Sequence, residues 1–296
     1  MRNIMAAVVA LLFTATLLAQ TDTSTAKRVV YPKGYEEKID AVYSEIGDWK
    51  GREDIYYNPT SAKPTPIIFN IHGGGWNHGV KEGQSGFAAF FKMGFAVANI
   101  EYRLTGQAKA PAAIEDVRAA ILYVVQHAKS LHIDPNKIVV MGGSAGGHLA
   151  LMAGLLQNDT QFDGVYKRVN GYTIIAIIDK YGITDVWDWA YGPNIRSKSA
   201  TNWLGDKAKD EAFAKSVSPI YYVKKTSPPT FIVHGDADPT VPYQQSVDLK
   251  KKYDEVGCKS EFMTIAGGKH GGFEKDKNTE MTNAIVAFIK NLDAFK

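Results

Sequence analysis

Gly142-Gly143-Ser144-Ala145-Gly146-Gly147 follows the β-branched run Lys137-Ile138-Val139-Val140-Met141 and opens a stretch of small, apolar residues. The order is strand, glycine-flanked serine, helix, and it contains the pattern G-x-S-x-G. A turn this sharp strains the serine backbone and lifts its Oγ above the sheet. Side chains at 142 and 146 would collide with the neighbouring strand and helix, so both positions need glycine. The helix N-terminus beneath the serine offers backbone N–H groups and the positive end of a dipole. A glycine-rich β–α turn can alternatively bind phosphate, but no Lys or second phosphate ligand follows here as in a P-loop.

On either side of this turn, further short apolar runs occur at Pro66–Ile71, Phe95–Ile100, Tyr172–Ile178, Thr230–Val233 and Ser260–Ile265. Continuous apolar strands predict a parallel sheet covered on both faces. Two alternating segments, Lys38–Ile46 and Arg52–Tyr57, precede them and read as antiparallel, amphipathic strands. Helical spacing relates Ile114, Val117, Ile121, Leu122 and Val125, and again Met281, Ile285, Phe288, Ile289 and Leu292. The stretch after Ser144 is apolar on nearly every side, as a helix buried against a sheet must be. With no internal repeat, low-complexity tract or linker, the expectation is one α/β domain over residues 27–296. Its central sheet is mostly parallel, with helices on both faces.

Composition narrows the class. Of 296 residues, 45% are hydrophobic and 22% charged, which excludes a disordered chain. A single cysteine, Cys258, excludes a disulfide scaffold and any internal disulfide. Basic residues number 34 against 31 acidic, and the charges are interspersed, so nucleic acid is not an expected partner. At the start of the chain, Arg2 precedes an apolar run from Ile4 to Leu18, followed by Ala19-Gln20-Thr21-Asp22. That reads as a secretory signal peptide over residues 1–19, cut after Ala19, although Leu17 stands where a small residue is preferred. The run is shorter than the ~20 residues that span a bilayer, and no Cys follows it, so no stable membrane anchor is expected. The expected location is periplasmic or secreted.

A second constellation is His72-Gly73-Gly74-Gly75-Trp76, directly after the Pro66–Ile71 run. Glycines there let main-chain N–H groups face the serine and let a substrate carbonyl come close. With the two segments together, the chain resembles an α/β-hydrolase. Within that superfamily it resembles the hormone-sensitive-lipase-like esterases, in particular the bacterial feruloyl- and acetyl-esterase-type branch. Further marks agree: Glu101-Tyr102-Arg103-Leu104, Pro111–Val117, Ile133-Asp134-Pro135, Asp185 in Gly182-Ile183-Thr184-Asp185, and His234-Gly235-Asp236-Ala237-Asp238-Pro239-Thr240-Val241-Pro242. The resemblance runs from about residue 50 to the C-terminus.

The resemblance implies a serine nucleophile followed in chain order by an acid and a histidine. Ser144 is the nucleophile, the acid follows the Thr230–Val233 strand, and the base follows the strand ending near Ile265. His270, in the flexible loop Gly267-Gly268-Lys269-His270-Gly271-Gly272, is the expected base. Asp236 and Asp238 both follow the acid-bearing strand. Asp238 fills the D of the family pattern H-G-x-x-D-x-x-V-P, whereas Asp236 suits an Asx-type brace of turn N–H groups. The resemblance also implies an oxyanion hole from the N–H groups of Gly74, Gly75 and Ala145, with no cofactor and no metal. His72 is expected to hold the glycine loop in shape. His127, His132, His148 and His234 are weaker candidates for the base, and His78 lies in a loop that could approach the site.

Substrate is less legible. The segment Tyr181–Ser218 carries Trp187, Trp189, Tyr191 and Trp203, which suit sugar rings or an aromatic acyl group but equally pack a segment onto the core. Trp76, beside the glycine loop, and Trp187 are the expected lining residues. No broad apolar lid marks a lipase. The expected activity is hydrolysis of short-chain or aryl esters, such as acetyl or feruloyl esters of plant polysaccharide. An aryl formamidase, a general carboxylesterase, a serine peptidase of this fold and a non-catalytic binding protein are the alternatives.

Overall fold

The computed structural model describes residues 29–157, 159–164 and 171–296; the signal peptide expected over 1–19 lies outside the described residues. Eight strands form one sheet in the order β1-β2-β4-β3-β5-β6-β7-β8. They are β1 (Glu36–Ile46), β2 (Trp49–Tyr57), β3 (Thr65–Ile71), β4 (Ala96–Ile100), β5 (Ile133–Gly143), β6 (Ile174–Lys180), β7 (Thr230–Gly235) and β8 (Ser260–Ile265). Strands β1 and β2 are antiparallel, β2 joins β4 antiparallel, and β4, β3, β5, β6, β7 and β8 run parallel.

Alternation along the strands divides the core in two. Ile67, Phe69 and Ile71 point to one face with Val140 and Ile177, against α2 (Ala112–Gln126) and α3 (Ala145–Leu155). Ile68, Val97, Val139, Ile178 and Val233 point to the other, against α1 (Ala88–Lys92) and α8 (Lys275–Lys290). Every residue of α3 is buried, which is why its sequence shows no polar face. Strand β5 begins earlier than the apolar run suggests. Ile133 pairs with Thr65 before a register shift, so Asp134-Pro135-Asn136 interrupts the hydrophobic pattern without ending the strand.

The segment after β6 is helical in short pieces: α4 (Val186–Tyr191), α5 (Lys198–Leu204) and α6 (Glu211–Ser216). Asp185 caps α4 by accepting the Asp188 N–H at 3.0 Å, and Gln245 Oε1 accepts the N–H groups of Thr184 and Asp185 at 2.8 and 2.7 Å. These bonds tie the segment to α7 (Gln244–Glu255), next to the β7 exit loop. Among the described residues no helix is long and apolar enough to cross a membrane.

Candidate active site

The carboxyl ends of β3, β5, β6, β7 and β8 lie along one edge of the sheet, the edge where open α/β sheets bind ligands. Ser144 occupies the β5–α3 turn with φ 57° and ψ −124°, a conformation that few non-glycine residues adopt. Its flanking glycines are sterically required. A Cβ on Gly142 would lie 2.1 Å from the Gly146 carbonyl oxygen, and one on Gly146 would lie 2.1 Å from the Ile71 oxygen. The Ser144 N–H donates to the Lys180 carbonyl at 2.9 Å, which pins the turn to β6.

His270 Nε2 lies 2.8 Å from Ser144 Oγ, and its Nδ1 lies 2.6 Å from Asp238 Oδ2. An ionised carboxylate only accepts, so Nδ1 carries the proton and Nε2 is free to accept from the serine hydroxyl. Asp238 receives more than this one bond. Its Oδ1 accepts the N–H groups of Thr240 and Val241 at 2.7 and 3.0 Å. Its Oδ2 also meets His234 Nε2 at 3.1 Å. Burial alone would raise the Asp238 carboxyl, but the hydrogen bonds from His234, His270 and Thr240 outweigh it and hold the group well below the usual carboxylate range.

His234 is the residue that the sequence reading undervalued. Its Nε2 faces two acceptors, Asp238 Oδ2 and the Val241 oxygen, both at 3.1 Å, so that nitrogen carries the proton. Nδ1 then accepts from the Ser246 hydroxyl at 2.7 Å. His234 is therefore a positioning partner of the acid, sharing Asp238 Oδ2 with His270. The signal was the H-G-x-x-D spacing itself, which folds the chain back so that residues four apart meet.

Asp236 does not brace its own turn. Its Oδ1 accepts the Gly267 N–H at 2.7 Å, tying the β7 exit to the loop that carries His270. The local brace belongs to Asp238. The Tyr181 ring, with φ 44° at its backbone, stands edge-on to His270 at 5.0 Å and supports the imidazole from behind.

Facing the serine, Gly74 and Gly75 adopt φ of 111° and 56°. The loop is closed by the Asn77 and His78 N–H groups, which donate to the Gly74 oxygen at 3.0 and 3.2 Å. His72 holds its shape: the ring is buried, approaches the Gly73 oxygen at 2.7 Å and stacks on Tyr102 at 4.2 Å. Burial lowers the His72 imidazole to about 4, so it stays neutral. Tyr102 donates its hydroxyl to the His72 oxygen at 3.0 Å, and Arg103 beside it is anchored on buried Asp116 through its backbone N–H at 2.8 Å. The E-Y-R-L and P-A-A-I-E-D segments thus act as struts for the glycine loop. Ala145, the first residue of α3, is buried directly behind Ser144, and its N–H has no intrahelical acceptor.

A cleft of about 450 Å³ opens over Ser144 and His270. Gly74, Gly75, His78 and Trp189 line it; neither Trp76 nor Trp187 does. Trp76 is fully buried and stacks on Trp203 at 4.3 Å, with His148 and Trp189 edge-on at 5.0 and 5.8 Å. Its positive φ of 59° turns the side chain inward, beneath the loop instead of into the site. Trp187 pairs with Tyr191 at 4.5 Å on the outer side of α4. Trp189 is the tryptophan that reaches the cleft, where Tyr181 also lies, and it is held by a bond from Nε1 to the Thr240 oxygen at 3.0 Å. His148, whose Nε2 lies 2.7 Å from the Val217 oxygen, belongs to the same buried cluster. Among the described residues no group of three or more His, Cys, Asp or Glu is arranged to hold a metal ion.

Trp76→Ala should therefore act on stability. Removing a buried, stacked indole is expected to cost about 3–5 kcal/mol, read from the denaturant midpoint. A variant that keeps its midpoint and changes only substrate preference would return Trp76 to the cleft wall.

A strained serine between strand and helix, a histidine after the last strand and an acid after the one before define an α/β-hydrolase. Solved structures share the architecture. A truncated carbohydrate esterase from gut microbiota superposes with a TM-score of 0.76 at 29% identity, covering 89% of this chain and 100% of that one. The thermophilic esterase Est2 of the planctomycete Thermogutta terrifontis gives 0.69 at 26%, covering 90% and 97%. Esterase LipC of Mycobacterium tuberculosis is 28% identical over 254 residues, 83% of this chain and 59% of its own length. The chain spans little more than half the length of such curated relatives. The BD-FAE family model matches residues 53–253, and the chain belongs to that family.

Proposed function

We propose that this protein is a serine carboxylic-ester hydrolase, with short acyl esters, including those of carbohydrates, as its substrates. The observation that carries this reading is the hydrogen-bonded series Ser144–His270–Asp238 at the floor of the cleft. His270 Nε2 takes the Ser144 proton as Oγ attacks the ester carbonyl. The oxyanion accepts from the N–H groups of Gly74, Gly75 and Ala145, each worth on the order of 3 kcal/mol. Asp238 holds the Nδ1–H tautomer and stabilises the imidazolium. His270 then returns its proton to the departing alkoxide, which leaves as the alcohol. Water, deprotonated by His270, attacks the acyl-enzyme and releases the acid with Ser144 restored.

The apolar run after Arg2 supports export, and the likeness to a carbohydrate esterase supports acetylated or feruloylated polysaccharide as the natural source. The cleft supports a short acyl group. Its walls mix glycines, serines, Lys180 and two histidines with Ile71, Tyr181 and Trp189, so polar groups interrupt the apolar surface that added methylenes would meet. Acetyl should therefore be preferred over octanoyl by at least about tenfold in kcat/KM, a difference of ~1.4 kcal/mol. A panel of p-nitrophenyl acetate, butyrate and octanoate with methyl ferulate and acetylated xylan tests this. Preference for octanoyl would place the enzyme with the lipases.

A further inference from the structure

Lys180 is the last residue of β6, in register with Gly143 on one side and Val233 on the other. Its neighbour Asp179 points toward α3, where a Cβ on Gly147 would come within 2.4 Å of Asp179 Oδ1. Successive strand residues point to opposite faces, so Lys180 leaves on the face away from α3. There the adjacent strand offers Gly143, and the room its missing side chain leaves is taken by the Tyr181 ring, whose hydroxyl would lie 3.0 Å from a Cβ at 143. Lys180 is only partly buried and lines the cleft, as do Asn70 and Gln84.

The charge balance of this corner is one-sided. The cleft lining contains a lysine and two histidines, and no aspartate or glutamate. Among the described residues no carboxylate lies within ion-pair distance of Lys180, in contrast to Lys81, which meets Asp40 and Asp54 at 2.9 Å each. The nearest acid in sequence, Asp179, is fully buried on the opposite face, and burial pushes its carboxyl up to about 7. Burial in turn pushes the Lys180 ammonium down from its ordinary value, with Asp179 only partly opposing. An ammonium in such a place gains most from a counter-ion that arrives with the substrate.

We propose that Lys180, beside Gly143 and Ser144 in the cleft, forms a subsite for a carboxylate carried by the ester substrate. The inference rests on the ester-hydrolase reading and specifies the substrate class. The carboxylate can sit on the acyl part, as in a dicarboxylic monoester, or on the alcohol part, as in an acetylated hydroxy acid or uronic acid. Asn70 and Gln84 supply neutral polar surface around it.

Two matched pairs separate these sources. Monomethyl glutarate against dimethyl glutarate places the charge on the acyl side; 4-acetoxybenzoate against its methyl ester places it on the leaving group. In at least one pair the parent enzyme should prefer the charged member about tenfold or more in kcat/KM. Lys180→Met should bring that ratio to one or below, and Lys180→Arg should keep it above one. Because the readout is a ratio within one variant, a general loss of activity cancels. Calorimetric titration of monomethyl and dimethyl glutarate and of both acetoxybenzoates into Ser144→Ala reads the same subsite without turnover. There Lys180→Met should remove the advantage of the charged ligand. Hydrolysis of neutral esters with no charge preference in either pair would overturn the subsite and leave the esterase reading standing. A ratio that survives Lys180→Met would assign the preference to another group. Absence of all hydrolysis, with charge-selective binding retained, would overturn the esterase reading alone.

Discussion

Ser144→Ala is expected to lower ester hydrolysis by at least about 10⁴-fold while leaving the fold intact. The serine Oγ is the oxygen that attacks the carbonyl carbon, and its only hydrogen-bond partner among the described residues is His270 Nε2 at 2.8 Å. The backbone at 144 keeps its work without the hydroxyl: its N–H bonds the Lys180 oxygen at 2.9 Å and its oxygen accepts the His148 N–H at 3.0 Å. Alanine removes the hydroxyl without adding a group that the φ of 57° would strain further. Residual turnover would come from the N–H donors of the glycine loop stabilising the oxyanion as water attacks the ester directly. Activity within tenfold of the parent, at unchanged thermal midpoint, would mean that another nucleophile does the chemistry.

The second large effect is at Asp238. Four donors converge on this carboxylate: the Thr240 and Val241 N–H groups on Oδ1, and the rings of His270 and His234 on Oδ2. An asparagine has one oxygen. Whichever way its amide is turned, the NH₂ group faces two donors. Turned toward the rings, it forces His270 into the tautomer that cannot accept from Ser144. Turned toward the loop, it opposes both backbone N–H groups and still brings no negative charge to the imidazolium. Asp238→Asn should therefore cost about 10⁴-fold in kcat. Asp236→Asn retains an oxygen for the Gly267 N–H and should change kcat only a few-fold, with a stability loss of about 1 kcal/mol. Steady-state rates of both variants at equal folded fraction decide the matter. The reverse ranking would assign the acid to Asp236.

What could be read from the chain was local. The turn around Ser144 and the glycine loop after β3 each lie within six residues, and their stereochemistry follows from the residues themselves. The apolar strands β3, β4 and β5 were legible because they are buried on both faces. Helices α1 and α7 were not. Helix α1 is five residues long, and α7 is mostly Lys, Asp and Gln, burying only Gln245, Ser246, Leu249 and Tyr253. The roles of the tryptophans failed for a different reason. Proximity in sequence placed Trp76 beside the glycine loop, but a positive φ decides which way its side chain turns, and no composition rule shows that. Trp189 and Trp187 differ only in which side of a six-residue helix they occupy. Lys180 was invisible because strand alternation, its place in the cleft wall and the lack of a carboxylate within ion-pair distance among the described residues matter only together.

If Ser144, activated by His270 and Asp238, is the nucleophile of an ester hydrolase, an electrophile that mimics the ester must be captured there and nowhere else. Covalent trapping reads this out. The protein is incubated with a fluorophosphonate, digested, and the adduct located by mass spectrometry while p-nitrophenyl acetate hydrolysis is followed. One adduct per chain on Ser144, with activity falling in proportion to labelling and no adduct in Ser144→Ala, is the expected result. An adduct on a different residue, or full hydrolytic activity in protein whose Ser144 is completely modified, would mean that Ser144 is not the nucleophile.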